Sequence, residues 1–216
     1  GVTDELEKAP PYVKKRLDIP NSIDISQYPV IENKAEEKVV KFIMLVSRFQ
    51  DWHGIDILED LLNRLEAEVE GIIIGGDTQE PKKAGKITYL PFMEKDEYLE
   101  KTSSCHFGVG TLGLFRKSIT EATPLKVREY LALGLPVIIG YKDTAFLNNK
   151  PDWIFQIPEE ELKTGVSDEM VKKLNQFIED YKQKVVPHEE TARFIDSRII
   201  EKRRLIFFEE VIEDYQ

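Results

Sequence analysis

The chain starts irregularly and then becomes periodic. Residues 1–37 carry proline punctuation and no sustained hydrophobic period, which predicts a linker or wrap-around segment. From residue 38 onward, apolar runs of strand length alternate with segments of helical period. "VVKFIMLVS" (39–47) is apolar almost throughout, and "IDILEDLLNRL" (55–65) sets Ile55, Leu58, Leu62 and Leu65 at helical spacing. "EGIIIGGD" (70–77) reads as a strand and a turn, and "KITYLPF" (86–92) as a third strand. "EKDEYLEKT" (94–102) reads as a short polar helix, and "CHFGVG" (105–110) as a fourth strand. A helix is predicted from Pro124 to Leu133, with Thr123 as N-cap, Gly134 closing it and Pro136 forbidding continuation. "PVIIG" (136–140) and "WIFQI" (153–157) supply two more strands. Ser167 caps a helix with Val171, Leu174, Ile178 and Tyr181 on one face, and 190–214 reads as one last amphipathic helix. Strands without hydrophobic-in/polar-out alternation, interleaved with helices, belong to a parallel sheet covered on both faces. The predicted fold is α/β: a Rossmann-like, doubly wound, mostly parallel sheet over 38–187. The segment 1–37 precedes it, and a C-terminal helix in 188–216 packs on it.

Composition narrows the partners. With 216 residues the chain is long enough to bury a core without staples, and its 41% hydrophobic and 32% charged content is that of a soluble globular domain. A net charge of −10 with no concentrated basic stripe argues against nucleic acid as a partner. The run "EKRRL" (201–205) reads as a solvated helix face. Cys105 is the single cysteine, so no intrachain disulfide forms; a reducing compartment fits, and the thiol reads as a small core residue. No apolar segment approaches the ~18–20 residues that span a bilayer and no signal peptide is evident, so the expected location is cytoplasmic. His53, His106 and His188 are scattered and no Cys/His pair has metal-ligand spacing, so no metal is expected. His106, within a strand-like run, reads as structural.

In such sheets ligands bind in the loops at the carboxyl ends of the strands. "GVGTLG" (108–113) matches the dinucleotide pattern G-x-G-x-x-G, but it follows the fourth strand, opens no helical pattern at Leu114 and has Glu129, within a helix, at the distance of the acid. A flexible glycine loop is the plainer reading, and a loop closing over another ligand stays open. The helix start at 124 is more informative. Its unpaired N–H groups suit an anion such as a diphosphate, with Leu125 and Lys126 in the first turn and Lys126 adding a cation. Glu129 lies one turn on along the same side, where a carboxylate suits vicinal hydroxyls such as those of ribose. Glu121 precedes the helix and reaches what lies beyond the phosphates. The alternative is that Glu129 pairs with Arg128 or Lys126 on the surface and Glu121 is incidental. Arg48, at the end of the first strand, suits phosphate oxygens; its alternative is a surface arginine packed on Trp52.

"SRFQDWHGIDILEDLL", "GGD" and "EATPLKVREYLALGLPVI" together resemble the C-terminal donor-binding half of GT-B glycosyltransferases of the family 4 type. That family has an arginine after the first strand and a Glu-x7-Glu motif followed by A-x-G-x-P. Here the acids are Glu121 and Glu129, with Ala132, Gly134 and Pro136 in register. "PNSID" (20–24) resembles the family's P-N-G-I-D element, with Ser22 in place of glycine. The resemblance covers nearly all of the chain. It implies retaining transfer from a nucleotide sugar of the UDP or GDP type, in polysaccharide or glycoconjugate synthesis, with no metal and no cofactor besides the donor. It further implies that Glu129 holds the ribose, that the Leu125 and Lys126 amides and Arg48 hold the diphosphate, and that Glu121 is the catalytic acid facing the sugar. The turn "YLPFM" (89–93) resembles the base-contacting loop, which sets Phe92 and Met93 against the nucleobase. Two departures stand out: His53 occupies the place where many members have a phosphate-binding lysine, and "EATP" replaces the glycine-rich "EGFG". The resemblance also implies a missing N-terminal acceptor domain as partner, so the chain alone is expected to be inactive, and it allows a full-length protein peripheral to the membrane. From another class, the rival is a non-catalytic nucleotide-binding or interaction module.

Overall fold

The computed structural model describes residues 15–31 and 38–214. The apolar runs form strands β1 (Val40–Val46) and β2 (Val69–Gly75), followed by β3 (Lys82–Ala84), β4 (Ile87–Leu90) and β5 (Phe107–Val109). Strands β6 (Glu121–Ala122), β7 (Val137–Ile139), β8 (Lys142–Asp143) and β9 (Ile154–Gln156) complete the set. Seven of them make one sheet in the order β3-β4-β2-β1-β5-β7-β9, parallel at every step except the antiparallel edge β3–β4. The sheet grows from β1 through β2 to β4 on one side and through β5, β7 and β9 on the other. The direction of winding therefore reverses between β1 and β5, which opens a crevice at their carboxyl ends.

Strand β1 shows why its sequence lacks alternation. Phe42, Met44 and Val46 face one core with helices α1 (Ile55–Arg64) and α5 (Asp168–Tyr181). Ile43 faces a second core with α2 (Lys95–Ser103), α3 (Leu125–Ala132) and α6 (His188–Ile195). Both faces exclude water along most of the strand, so apolar side chains are favoured at every position except half-buried Lys41 near its start. The doubly wound α/β prediction is met, including a final helix, α7 (Ser197–Glu213). Cys105 and His106 are buried, and Nδ1 of His106 accepts the Lys41 N–H (3.0 Å). Residues 201–205 are exposed. No helix among the described residues is long and apolar enough to cross a membrane.

Several local predictions give way. The predicted helix over 190–214 is two helices broken at Asp196, whose carboxylate accepts the Arg198 N–H (2.9 Å) and caps α7. Ile23 inserts at the break, donating to the Ile195 carbonyl (2.9 Å) and accepting from Ser197 N–H (2.8 Å). The N-cap of α3 is Pro124, not Thr123, whose hydroxyl is taken by Asn21 N–H (2.9 Å) and Arg128 Nη2 (2.6 Å). Gly134 does close α3: it stands at φ +72°, a conformation glycine adopts without strain. The polar strands β3, β6 and β8 and the short helix α4 (Glu159–Thr164) carry no hydrophobic signal and are additions to the prediction. Of the predicted leading segment, 1–14 and 32–37 lie outside the described residues.

The described part of that segment is fastened by a buried guanidinium. Arg128, completely buried on α3, donates from Nη1 and Nη2 to both oxygens of buried Asp143 on β8 (2.8 and 2.6 Å). Its Nε reaches the Asn21 carbonyl (2.9 Å), and Asn21 Nδ2 donates to the Thr123 carbonyl (2.7 Å). Every nitrogen of the guanidinium is satisfied, the condition under which a charge is tolerated in a core. With residues 21–23 held in this way, Ile25 and Tyr28 pack into the second core.

Candidate functional site

A cleft of about 550 Å³ opens at the winding reversal. Its floor is Leu45, Val46 and Ser47 at the end of β1, Ile74 and Gly75 at the end of β2, and Thr111 after β5. Its walls are Trp52 and His53, the pair Phe92 and Met93, Tyr98, and Pro124, Leu125, Lys126 and Glu129 of α3. The volume suits one ligand of nucleotide size, and the lining is largely apolar with a few convergent polar groups.

Two bonds from α3 to β1 set the helix start over the strand end. The Leu45 N–H donates to Tyr130 Oη (2.7 Å), and Lys126 Nζ donates to the Leu45 carbonyl (3.1 Å). No side chain caps α3, so its first amides are left for a ligand. Burial lowers the Lys126 pKa to about 7. An anion that recharges Lys126 on binding must bring a proton with it, so affinity falls as pH rises above about 7. Titrating a diphosphate diester from pH 6 to pH 9 is expected to show this weakening, and Lys126→Met is expected to flatten it.

The loop before α1 is tightly built. Gly54 stands at φ +73°, and a Cβ there would lie 2.6 Å from Gly113 N. Leu112 N–H donates to the His53 carbonyl (3.0 Å), so the glycine-rich loop 108–113 is locked against this turn. The reading of 108–113 as a flexible loop is corrected: all six residues are buried. Only a 3₁₀ turn, Leu114–Lys117, follows it, which removes the dinucleotide reading. His53 is buried and packs against Trp52, with ring centroids 4.0 Å apart and the planes tilted by 36°. Burial first, and then the Lys126 charge, push its pKa down to about 4, although the Gln50 backbone opposes this. His53 is therefore neutral at working pH and brings no cation to the cleft. Trp52 Nε1 and His53 Nδ1 are buried with no hydrogen-bond partner among the described residues.

Of the site residues expected from the sequence, His53, Phe92, Met93, Leu125, Lys126 and Glu129 line one cleft. Phe92 and Leu125 are 73% and 54% exposed, large apolar surfaces left uncovered at its walls. Arg48 and Glu121 are not among the lining residues. Arg48 is exposed, one position beyond Ser47. Glu121 lies on β6, paired in register with Lys142 of β8, and its Oε2 is buried without a partner among the described residues. The surface pairing weighed for Glu129 is absent. Arg128 points into the core, and Glu129 Oε1 instead accepts from Tyr28 Oη (3.1 Å) and Tyr98 Oη (2.8 Å). Those two tyrosines, with Trp52 and Thr111, are site residues that sequence reasoning missed. Tyr98 had a faint signal, one aromatic in an otherwise polar helix.

A parallel sheet wound in this order, with its cleft at the reversal and a final helix, is a Rossmann-like fold, and its likeness to solved glycosyltransferase structures makes it a GT-B half. Solved structures carry the likeness. AviGT4, a glycosyltransferase involved in avilamycin A biosynthesis, superposes with a TM-score of 0.62 at 12% identity, over 93% of this chain and 59% of its own. Alr3699/HepE of Anabaena in complex with UDP-glucose gives 0.57 at 18% identity, over 89% and 57%. The lipopolysaccharide outer core galactosyltransferase WaaB in its apo form gives 0.58 at 16%, over 88% and 54%. The chain thus spans between half and three-fifths of the length of these structures. No protein-family model matches the sequence. No curated protein matches it either.

Proposed function

We propose that the chain is the nucleotide-sugar-binding half of a retaining glycosyltransferase of the family 4 type, acting in polysaccharide or glycoconjugate synthesis. The observation that carries this reading is the juxtaposition, in one cleft, of an uncapped helix start, Lys126 beside it and Glu129 one turn on. A diphosphate fits the Leu125 and Lys126 amides, where the helix end favours negative charge by up to about 2 kcal/mol. The ribose fits Glu129, and the nucleobase fits the apolar wall of Phe92 and Met93. Glu121 and Arg48 stand outside the cleft lining; on this reading Glu121 serves the sugar beyond the diphosphate and Arg48 serves the phosphate oxygens. No metal is required, because the helix start and Lys126 supply the positive field at the leaving group.

The length shared with the GT-B structures and the exposed stripe Leu205, Phe208 and Ile212 on α7 support a second, acceptor-binding half as partner. Alr3699/HepE holds UDP-glucose, which makes UDP the first nucleotide to try. Calorimetric titration of UDP and GDP into the chain is the test. One-site saturable binding of one of them is expected, unaffected by a metal chelator. Absence of binding by both leaves the reading without support.

A further inference from the structure

Glu129 is held more firmly than ribose contact alone requires. Its Oε1 receives two phenolic hydrogens, one from Tyr28 in the segment preceding the sheet and one from Tyr98 in α2. Both phenols titrate well above the ordinary tyrosine range, Tyr28 through burial and then the Glu129 charge, Tyr98 through burial and then its hydrogen bond to Glu129. They are therefore protonated, and donors, near neutral pH. A carboxylate oxygen has room for two hydrogen bonds. Oε1 is therefore full, while Oε2 accepts none among the described residues and belongs to a side chain that lines the cleft.

We propose that Tyr28 and Tyr98 are positioning residues: by saturating Oε1 they fix the Glu129 carboxylate so that Oε2 alone receives the two ribose hydroxyls. This rests on the proposed nucleotide-sugar reading and deepens it. The two free acceptor sites of Oε2 match the two donors of a vicinal diol. Because the rotamer is set before the ligand arrives, its ordering cost does not fall on binding.

Tyr28 gives the arrangement a second property. It sits on the segment that Arg128 fastens through the Asn21 carbonyl, and its ring lies under Lys95 Nζ at 4.8 Å. Diol recognition thereby depends on how the leading segment is seated.

The test compares wild type, Tyr28→Phe, Tyr98→Phe and the double variant by calorimetry, each with UDP and GDP and with their 2′,3′-dideoxy counterparts. Phenylalanine keeps the ring and removes only the donor. Each single variant is expected to bind the tighter ribonucleotide about three- to tenfold more weakly, less than the about ten- to hundredfold of a hydrogen bond lost directly to a charged group, because the tyrosines act through Glu129. The dideoxy form should bind as in wild type, to within about twofold, so the preference for ribose narrows and the double variant narrows it further. A purely structural role for the tyrosines weakens both ligands alike, and that outcome overturns the proposal. So does an unchanged ribose preference in all variants, which leaves the nucleotide site standing without the clamp. If wild type binds neither UDP nor GDP, the site reading fails first and the clamp goes with it.

Discussion

Arg128→Ala is expected to cost about 3–5 kcal/mol of stability, the range for stranding one member of a buried ion pair. Asp143 would remain fully buried, keeping only the Ala145 N–H (3.0 Å) on Oδ1. The loss extends beyond the pair, because Asn21 and Thr123 also lose the guanidinium. Urea denaturation monitored by far-UV circular dichroism reads the change as a lower midpoint. A second effect should appear under native conditions. With Asn21 released, the segment carrying Tyr28 is less firmly seated, and nucleotide affinity should fall although Arg128 does not line the cleft. A midpoint shift worth less than about 1 kcal/mol would place Arg128 among ordinary exposed charges.

The second large effect is an absence. Retaining transfer needs an acceptor hydroxyl held near the anomeric carbon, and such positioning supplies roughly 7–11 kcal/mol of a barrier. On the proposed reading the acceptor groove lies on the other half of the protein, which also closes the cleft against water. With walls such as Phe92 and Leu125 uncovered, charge contacts in the cleft of the isolated chain are weakened by solvent. The isolated chain should therefore show no sugar transfer, with at most slow donor hydrolysis in a coupled nucleotide-release assay. Joined to its natural N-terminal half it should transfer, and Glu121→Gln in that protein should remove most of the activity. Robust transfer by the isolated chain would mean that the acceptor groove lies on this half.

How much of this was legible in the sequence depends on the range of the forces involved. β1, β2, α1 and α5 were readable because burial on one or both faces writes an apolar run or a helical period into the residues themselves. The two- and three-residue strands "KKA", "EA" and "KD" were not, since they exist only because a neighbouring strand offers hydrogen bonds. The break at Asp196 was hidden for a related reason: its partner, Ile23, lies far away in sequence. In the site, the helix start and Glu129 were legible from punctuation and spacing, whereas Glu121, expected beside them, stands on β6 outside the lining. The wiring was not legible. Arg128 looks like a surface residue until Asp143 comes to meet it, and Glu129 looks free to pair along its own helix until Tyr28 and Tyr98 arrive from 101 and 31 positions away. His53 could be read as a departure from lysine, but the depth of its burial could not.

The most direct measurement for the account as a whole is nucleotide affinity in Glu129→Ala, determined by calorimetry beside wild type with UDP, with GDP and with the 2′,3′-dideoxy form of whichever binds. Losing hydrogen bonds to a charged group predicts a fall of about ten- to hundredfold for the ribonucleotide. The dideoxy analogue, which has no diol to offer, should bind both proteins almost equally. Equal losses for the two ligands, or none for either, would contradict the assignment of Glu129 to a ribose and with it the reading of this cleft as a nucleotide-sugar site.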